Sequence, residues 1–126
     1  MTSTGQDVEL YKGNTRTLRI TVKDGDGAAI DISDATVVRW WMGKNNKATG
    51  TDVYIKKSTH TGEGITLDYD GEFWVAVIGL TSDDSEDLTP GKFYHECEVV
   101  TVDDEVVTVA IGAFTLISTI IDPDLA

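Results

Sequence analysis

Several groupings in this sequence bring reactive side chains close together. His95 and Cys97 stand two residues apart, a spacing that on a strand puts both on one face. A thiol beside an imidazole is the start of a nucleophile–base pair or of half a zinc site. The chain has one cysteine and only one other histidine, His60, so neither constellation is completed nearby. A core Cys97 beside a partly buried His95 accounts for the pair, and His60, in a Gly/Thr loop, is expected to be exposed. Glu96 and Glu98 share the other face and could mimic the acid and base of a hydrolase. With no third positioned group, they read as a solvated strand face crossed by Lys or Thr neighbours.

Asp24-x-Asp26-Gly27 with Asp31 nearby has the oxygen-rich spacing that a hard cation such as calcium needs. It lacks the further acidic positions and the closing glutamate of an EF-hand, so an ordinary turn explains it better. The run Asp83, Asp84, Glu86, Asp87 reads as a solvated helical turn. Gly62-x-Gly64 has neither the following helix nor the lysine of a phosphate-cradling loop. No catalytic residues, metal or cofactor are therefore expected, and the chain is read as a non-enzyme. What remains are large apolar groups with no assigned core: Trp41, Tyr54 and Trp74, which could stack on sugars or anchor a protein contact, and Ile120, Ile121 and Leu125 near the C-terminus. Protein contact is the preferred reading, with a carbohydrate-binding or adhesion module as the alternative.

The elements that must position these residues are strands. At 126 residues the chain fits a single domain over 1–126, with 1–7 as a flexible arm and 118–126 as a tail. Asp and Glu number 22 against 10 Lys and Arg, and the net charge of −12 argues against nucleic acid or an anionic membrane as partner. No intrachain disulfide is possible, which suits a reducing cytoplasm. The opening residues lack a basic segment followed by an apolar run, and no stretch is long enough to span a bilayer.

Short apolar runs separated by Gly, Asp and Asn turns predict strands near 8–11, 17–23, 36–42, 53–57, 65–69, 73–78, 93–102 and 106–117. Leu18, Ile20 and Val22 mark one buried face; Val38, Trp40 and Met42 mark another, sending Val37, Arg39 and Trp41 outward. The lysines of 53–57 suit an exposed edge. Asp70-Gly71 predicts a hairpin turn with Phe73, Val75 and Val77 inward, so that Trp74 faces away from the core. Residues 81–88 predict one helical turn, and Gly112 a bulge or a point of close approach. The expected fold is all-β: an immunoglobulin-like β-sandwich of about seven to eight antiparallel strands with one short helical turn, a barrel being the fallback.

Two blocks carry a family resemblance. Tyr11-Lys12-Gly13-Asn14-Thr15, Leu18 through Gly27 and Ile30 through Val37 form the first. Gly71-Glu72-Phe73 through Leu80-Thr81, Leu88 through Tyr94 and Gly112 through Leu116 form the second. In this order they resemble the N-terminal domain of tailed-phage upper baseplate proteins. The resemblance implies a virion module assembled in the host cytoplasm and docked, without catalysis, on other virion proteins and on copies of itself, in tail, baseplate, collar or head decoration. The aromatic faces and the two terminal arms are its expected contacts.

Overall fold

A computed structural model describes residues 7–23 and 27–118. Eight strands form two sheets: β1 (Val8–Tyr11), β2 (Arg16–Thr21), β3 (Val37–Gly43), β4 (Val53–Ser58), β5 (Ile65–Tyr69), β6 (Trp74–Leu80), β7 (Gly91–Val100) and β8 (Val106–Ile117). A 3-10 turn covers Gly50–Asp52, and one helical turn, α1, covers Ser82–Ser85. The five-stranded sheet runs β1-β8-β7-β3-β4 and the three-stranded sheet β2-β6-β5, the strand distribution of an immunoglobulin-like sandwich. Neighbours are antiparallel with one exception to the expected pattern: β1 pairs with β8 in parallel, Val8 opposite Phe114 through Tyr11 opposite Ile117. A hairpin cannot join β1 to a strand a hundred residues away, and the chain leaves β1 to cross to the second sheet instead.

One apolar cluster fills the space between the sheets. Leu18, Ile20, Ala76, Ile78 and Ile65 come from the smaller sheet, and Val38, Trp40, Met42, Cys97, Phe114 and Leu116 from the larger. Trp40 is fully buried, its ring centroid 6.0 Å from that of Phe114 and 5.8 Å from that of His95. Its indole Nε1–H donates to His95 Nδ1 at 3.0 Å, giving a buried polar atom the partner that burial demands. His95 is 1% exposed, so it is more deeply buried than its sequence suggests.

Three further expectations are corrected. In β6 the inward residues are Ala76, Ile78 and Leu80, paired with Ile20, Leu18 and Arg16 of β2. Val75 and Val77 therefore point outward, and Trp74, in phase with Ala76, packs on the core side beside Tyr69, 5.2 Å between ring centroids. Both faces of β6 are apolar, so its register is set by the alternation of β2 and not by its own. The bulge of the β7–β8 pair lies between Cys97 and Glu98, which face Ala110 and Thr108 and leave Val109 as the extra residue; Gly112 pairs in register with His95.

The local turns follow their sequence. Asp70 Oδ1 accepts from the amides of Glu72 at 2.9 Å and Phe73 at 2.7 Å, closing the β5–β6 hairpin, and Gly71 takes φ 99°. Thr81 N–H donates to Asp84 Oδ2 at 2.7 Å across the first turn of α1. The same carboxylate meets Lys57 Nζ at 2.9 Å, tying β4 to α1 across the open side of the sandwich. From below, the buried Ser85 hydroxyl accepts the amide of Gly13 at 2.9 Å and anchors the β1–β2 turn.

Candidate interaction face

The outward side of the five-stranded sheet gathers the groups that the core leaves over. Along β3 the alternation places Trp40 and Met42 in the core, and Arg39 and Trp41 outside. Strand pairing then builds rows across that face. Trp41 lies opposite Lys56 of β4 on one side and Glu96 of β7 on the other. The next row carries Ser58, Arg39 and Glu98, and the last carries Val37, Val100 and Val106. Val37 and Val100 are buried yet lie outside the core cluster, while Val106 beside them is 59% exposed.

Trp41, 39% exposed, stands between two shallow depressions. One, of about 90 Å³, is walled by Asn45 and Ala48 of the loop after β3 and by Val53 and Tyr94. That loop lies close because Gly43 points at it: a Cβ there would meet Ala48 Cβ at 2.7 Å. The other, of about 110 Å³, lies between Arg39, Trp41, Glu96 and Glu98. Both are far below the roughly 300–1,000 Å³ of small-molecule pockets and suit a single inserted side chain. Lys56 Nζ is 4.6 Å from the Trp41 ring centroid, a cation over the face of the ring.

The two glutamates that β7 presents on this face are engaged. Glu98 binds Arg39 at 2.7 Å. Partial burial, then the charge of Glu96 and a hydrogen bond to it, push the Tyr94 phenol above its ordinary value. Glu98 has Arg39 on one side and Thr108 on the other, so the Thr neighbour expected of this face is present there, while Glu96 lies between Trp41 and Ile111. On the opposite side of the strand, burial pushes the Cys97 thiol up to about 12, with a smaller contribution from Glu98. A thiol so protonated is no nucleophile near neutral pH.

The three aromatic candidates are not brought together. Trp41 is on the outer face of the larger sheet and Trp74 on the core side of the smaller one. Tyr54 is the extra residue of a bulge, where Met42 and Gly43 face Ile55 and Val53. Its ring, 39% exposed, makes an edge contact with Phe93, 5.7 Å between centroids, and so leans on the rim of the core. Ile120, Ile121 and Leu125 lie outside the described residues, as do Asp24 and Asp26. Asp31 turns Oδ1 onto Ser33, accepting from its amide at 2.9 Å and from its hydroxyl at 2.6 Å, and these bonds hold its carboxyl below the usual range. Among the described residues no cluster of His, Cys, Asp and Glu could hold a metal ion, and no helix is long and apolar enough to cross a membrane.

Sequence reasoning missed the Arg39–Glu98 pair, the row through Trp41 and the outward placing of Val100 and Val106 beside Val37. The period-two pattern of β3 contains Arg39 and Trp41, but which groups flank them is set by pairing with residues 15 to 59 positions away. No protein-family model matches the chain, and no curated protein matches it.

Proposed function

We propose that this chain is a non-enzymatic structural module of a tailed-phage particle, assembled in the host cytoplasm and docked on neighbouring virion subunits in the tail, the baseplate or a head decoration. The observation that carries the reading is the outer face of the β1-β8-β7-β3-β4 sheet, where Trp41 rises between side-chain-sized depressions with paired charges around it. An anchor ring within a polar surround is the anatomy of a protein contact. The ordered resemblance of residues 11–37 and 71–116 to upper baseplate modules adds the virion context. Fold alone assigns no function, so the reading stands on this face and on that resemblance.

The carbohydrate-binding alternative needs a shared platform, and Trp41, Tyr54 and Trp74 point into three different surroundings. An antiserum raised against the purified chain tests the proposal. It is expected to label virus particles released from the source host, at fixed positions in electron micrographs. Particles that carry none of the chain, together with binding on a glycan array, would reverse the choice. Removal of residues 120–126 is expected to leave the sandwich folded, because the described ladder closes at Tyr11 and Ile117, while incorporation into particles is lost.

A further inference from the structure

We propose that the outer face of the five-stranded sheet pairs with a second copy of this chain, around a two-fold axis that runs along β3 through Trp41. The inference rests on the docking reading above and names the partner for that surface. Its ground is the distribution of charge. The charged strand residues that point outward from this sheet are Glu9, Glu96 and Glu98 against Arg39, Lys56 and Lys92. Three acids balance three bases, so the net charge of −12 lies entirely on the remainder of the chain. Two copies meeting by any strongly acidic surface repel each other, whereas the strands that overlap here, β4, β3 and β7, carry Lys56, Arg39 and Lys92 against Glu96 and Glu98.

The central row of the face is also complementary to itself, while in the next row the same axis brings Arg39 of one copy over Arg39 of the other, each paired to its own Glu98. In the central row Lys56 lies on one side of Trp41 and Glu96 on the other, one strand away in each direction. A two-fold axis along β3 exchanges those sides while keeping the level along the strand. Lys56 of each copy then faces Glu96 of the other, twice, with the two Trp41 rings at the centre, as an isologous contact requires. An axis across the strands would put Lys56 over Lys56 and Glu96 over Glu96. Of the outward valines in the next rows, Val37 and Val100 are already buried and only Val106, on β8 at the rim of the contact, is exposed.

Its size sets the strength of the contact. The axis along β3 lays β4, β3 and β7 of one copy over β7, β3 and β4 of the other, and three strands of seven residues, at about 4.8 Å between strands and about 3.3 Å per residue, give a footprint of roughly 14 by 23 Å. That is well below the about 800 Å² per partner of a standard specific interface and in the range of weak, transient contacts. The pair is therefore reversible in dilute solution and favoured where copies are crowded.

Sedimentation of the full chain over a wide concentration range tests this, alone and as the variants Lys56→Glu and Glu96→Lys. The wild type is expected to move from 13.7 kDa toward twice that mass as concentration rises. Each single variant sets like charges face to face at both positions and is expected to associate at least about tenfold more weakly. An equimolar mixture of the two variants restores both opposite-charge contacts and is expected to recover association. Melting curves of the separate variants confirm that each is folded. A wild type that stays monomeric throughout, single variants that associate as the wild type does, or a mixture that fails to recover each overturn the proposal. A monomeric chain that still labels particles would overturn the self-pairing alone; a dimer absent from particles would overturn the virion reading alone.

Discussion

Adjacent tryptophans on β3 allow one substitution to be made in two environments. Trp40 is 0% exposed and Trp41 is 39% exposed, so Trp40→Phe and Trp41→Phe remove the same atoms from the core and from the outer face. In the core the change deletes the donor to His95 Nδ1, a bond of 3.0 Å between fully buried groups. An acceptor left without its partner costs about 1–3 kcal/mol. The vacated volume, roughly 40 Å³ at about 24 cal/mol per Å³, adds about 1 kcal/mol. The expected loss is about 2–4 kcal/mol. With an unfolding entropy of about 2.1 cal/mol/K per residue over 126 residues, this lowers the melting temperature by about 8–15 °C. At position 41 a phenyl ring still covers the strand and still faces Lys56, so the expected cost is under about 1 kcal/mol, or about 4 °C. Thermal melts followed by circular dichroism, with urea unfolding to check that the m-value is unchanged, measure both. Equal losses, or a larger loss at Trp41, would refute the orientation of β3 and with it every assignment made to the outer face.

Other outcomes follow from single contacts. Asp84→Ala removes both the acceptor of the Thr81 amide and the partner of a Lys57 whose side chain is only 14% exposed, so a stability loss of about 2–4 kcal/mol is expected in urea unfolding; Asp84→Asn, which keeps an oxygen for the amide, should lose less. Cys97, with its thiol pushed up to about 12 and no exposure, is expected to resist thiol reagents in the native protein at neutral pH and to react at the rate of unfolding; fast labelling without denaturant would contradict its place in the core. Two carboxyls of the β5–β6 hairpin are held below their ordinary value, Asp68 by its hydrogen bond to Arg19 and Asp70 by the amides of Phe73 and Glu72. A group lowered in the folded state stabilises it above the ordinary aspartate value and loses that contribution as pH falls through the lowered one. Asp70→Ala should therefore melt lower at neutral pH and show a shallower decline in melting temperature below about pH 4; an unchanged acid limb would contradict this.

The legible parts of this fold are those where one residue breaks a symmetry. Arg39 could not be buried without a partner, and that alone oriented β3 and exposed Trp41. Asp70-Gly71 fixed a hairpin, and Lys56 and Lys57 marked β4 as an edge. Where both faces are apolar, as in Trp74-Val75-Ala76-Val77-Ile78, alternation carries no sign, and the wrong face was expected inward. Bulges were the other gap. The extra residues Tyr54 and Val109 shift their strands by one position through pairings that local sequence does not encode, which is why Tyr54 leaves the face of Trp41 and leans on Phe93.

The interaction face was the least legible feature for a related reason. Lys56, Trp41 and Glu96 come from three strands, and nothing in their own neighbourhoods marks them as one row. Only when β3 is inserted between β4 and β7 does the isolated outward tryptophan acquire a cation on one side and a carboxylate on the other. The composition of −12 gave reason to expect a protein that repels its own copies. Strand pairing instead removes that repulsion from one surface, because each outward acid of the five-stranded sheet is matched in number by an outward base. Net charge and local charge therefore act on different steps. The acidic remainder keeps copies apart in solution, and the balanced face leaves one direction in which they can approach.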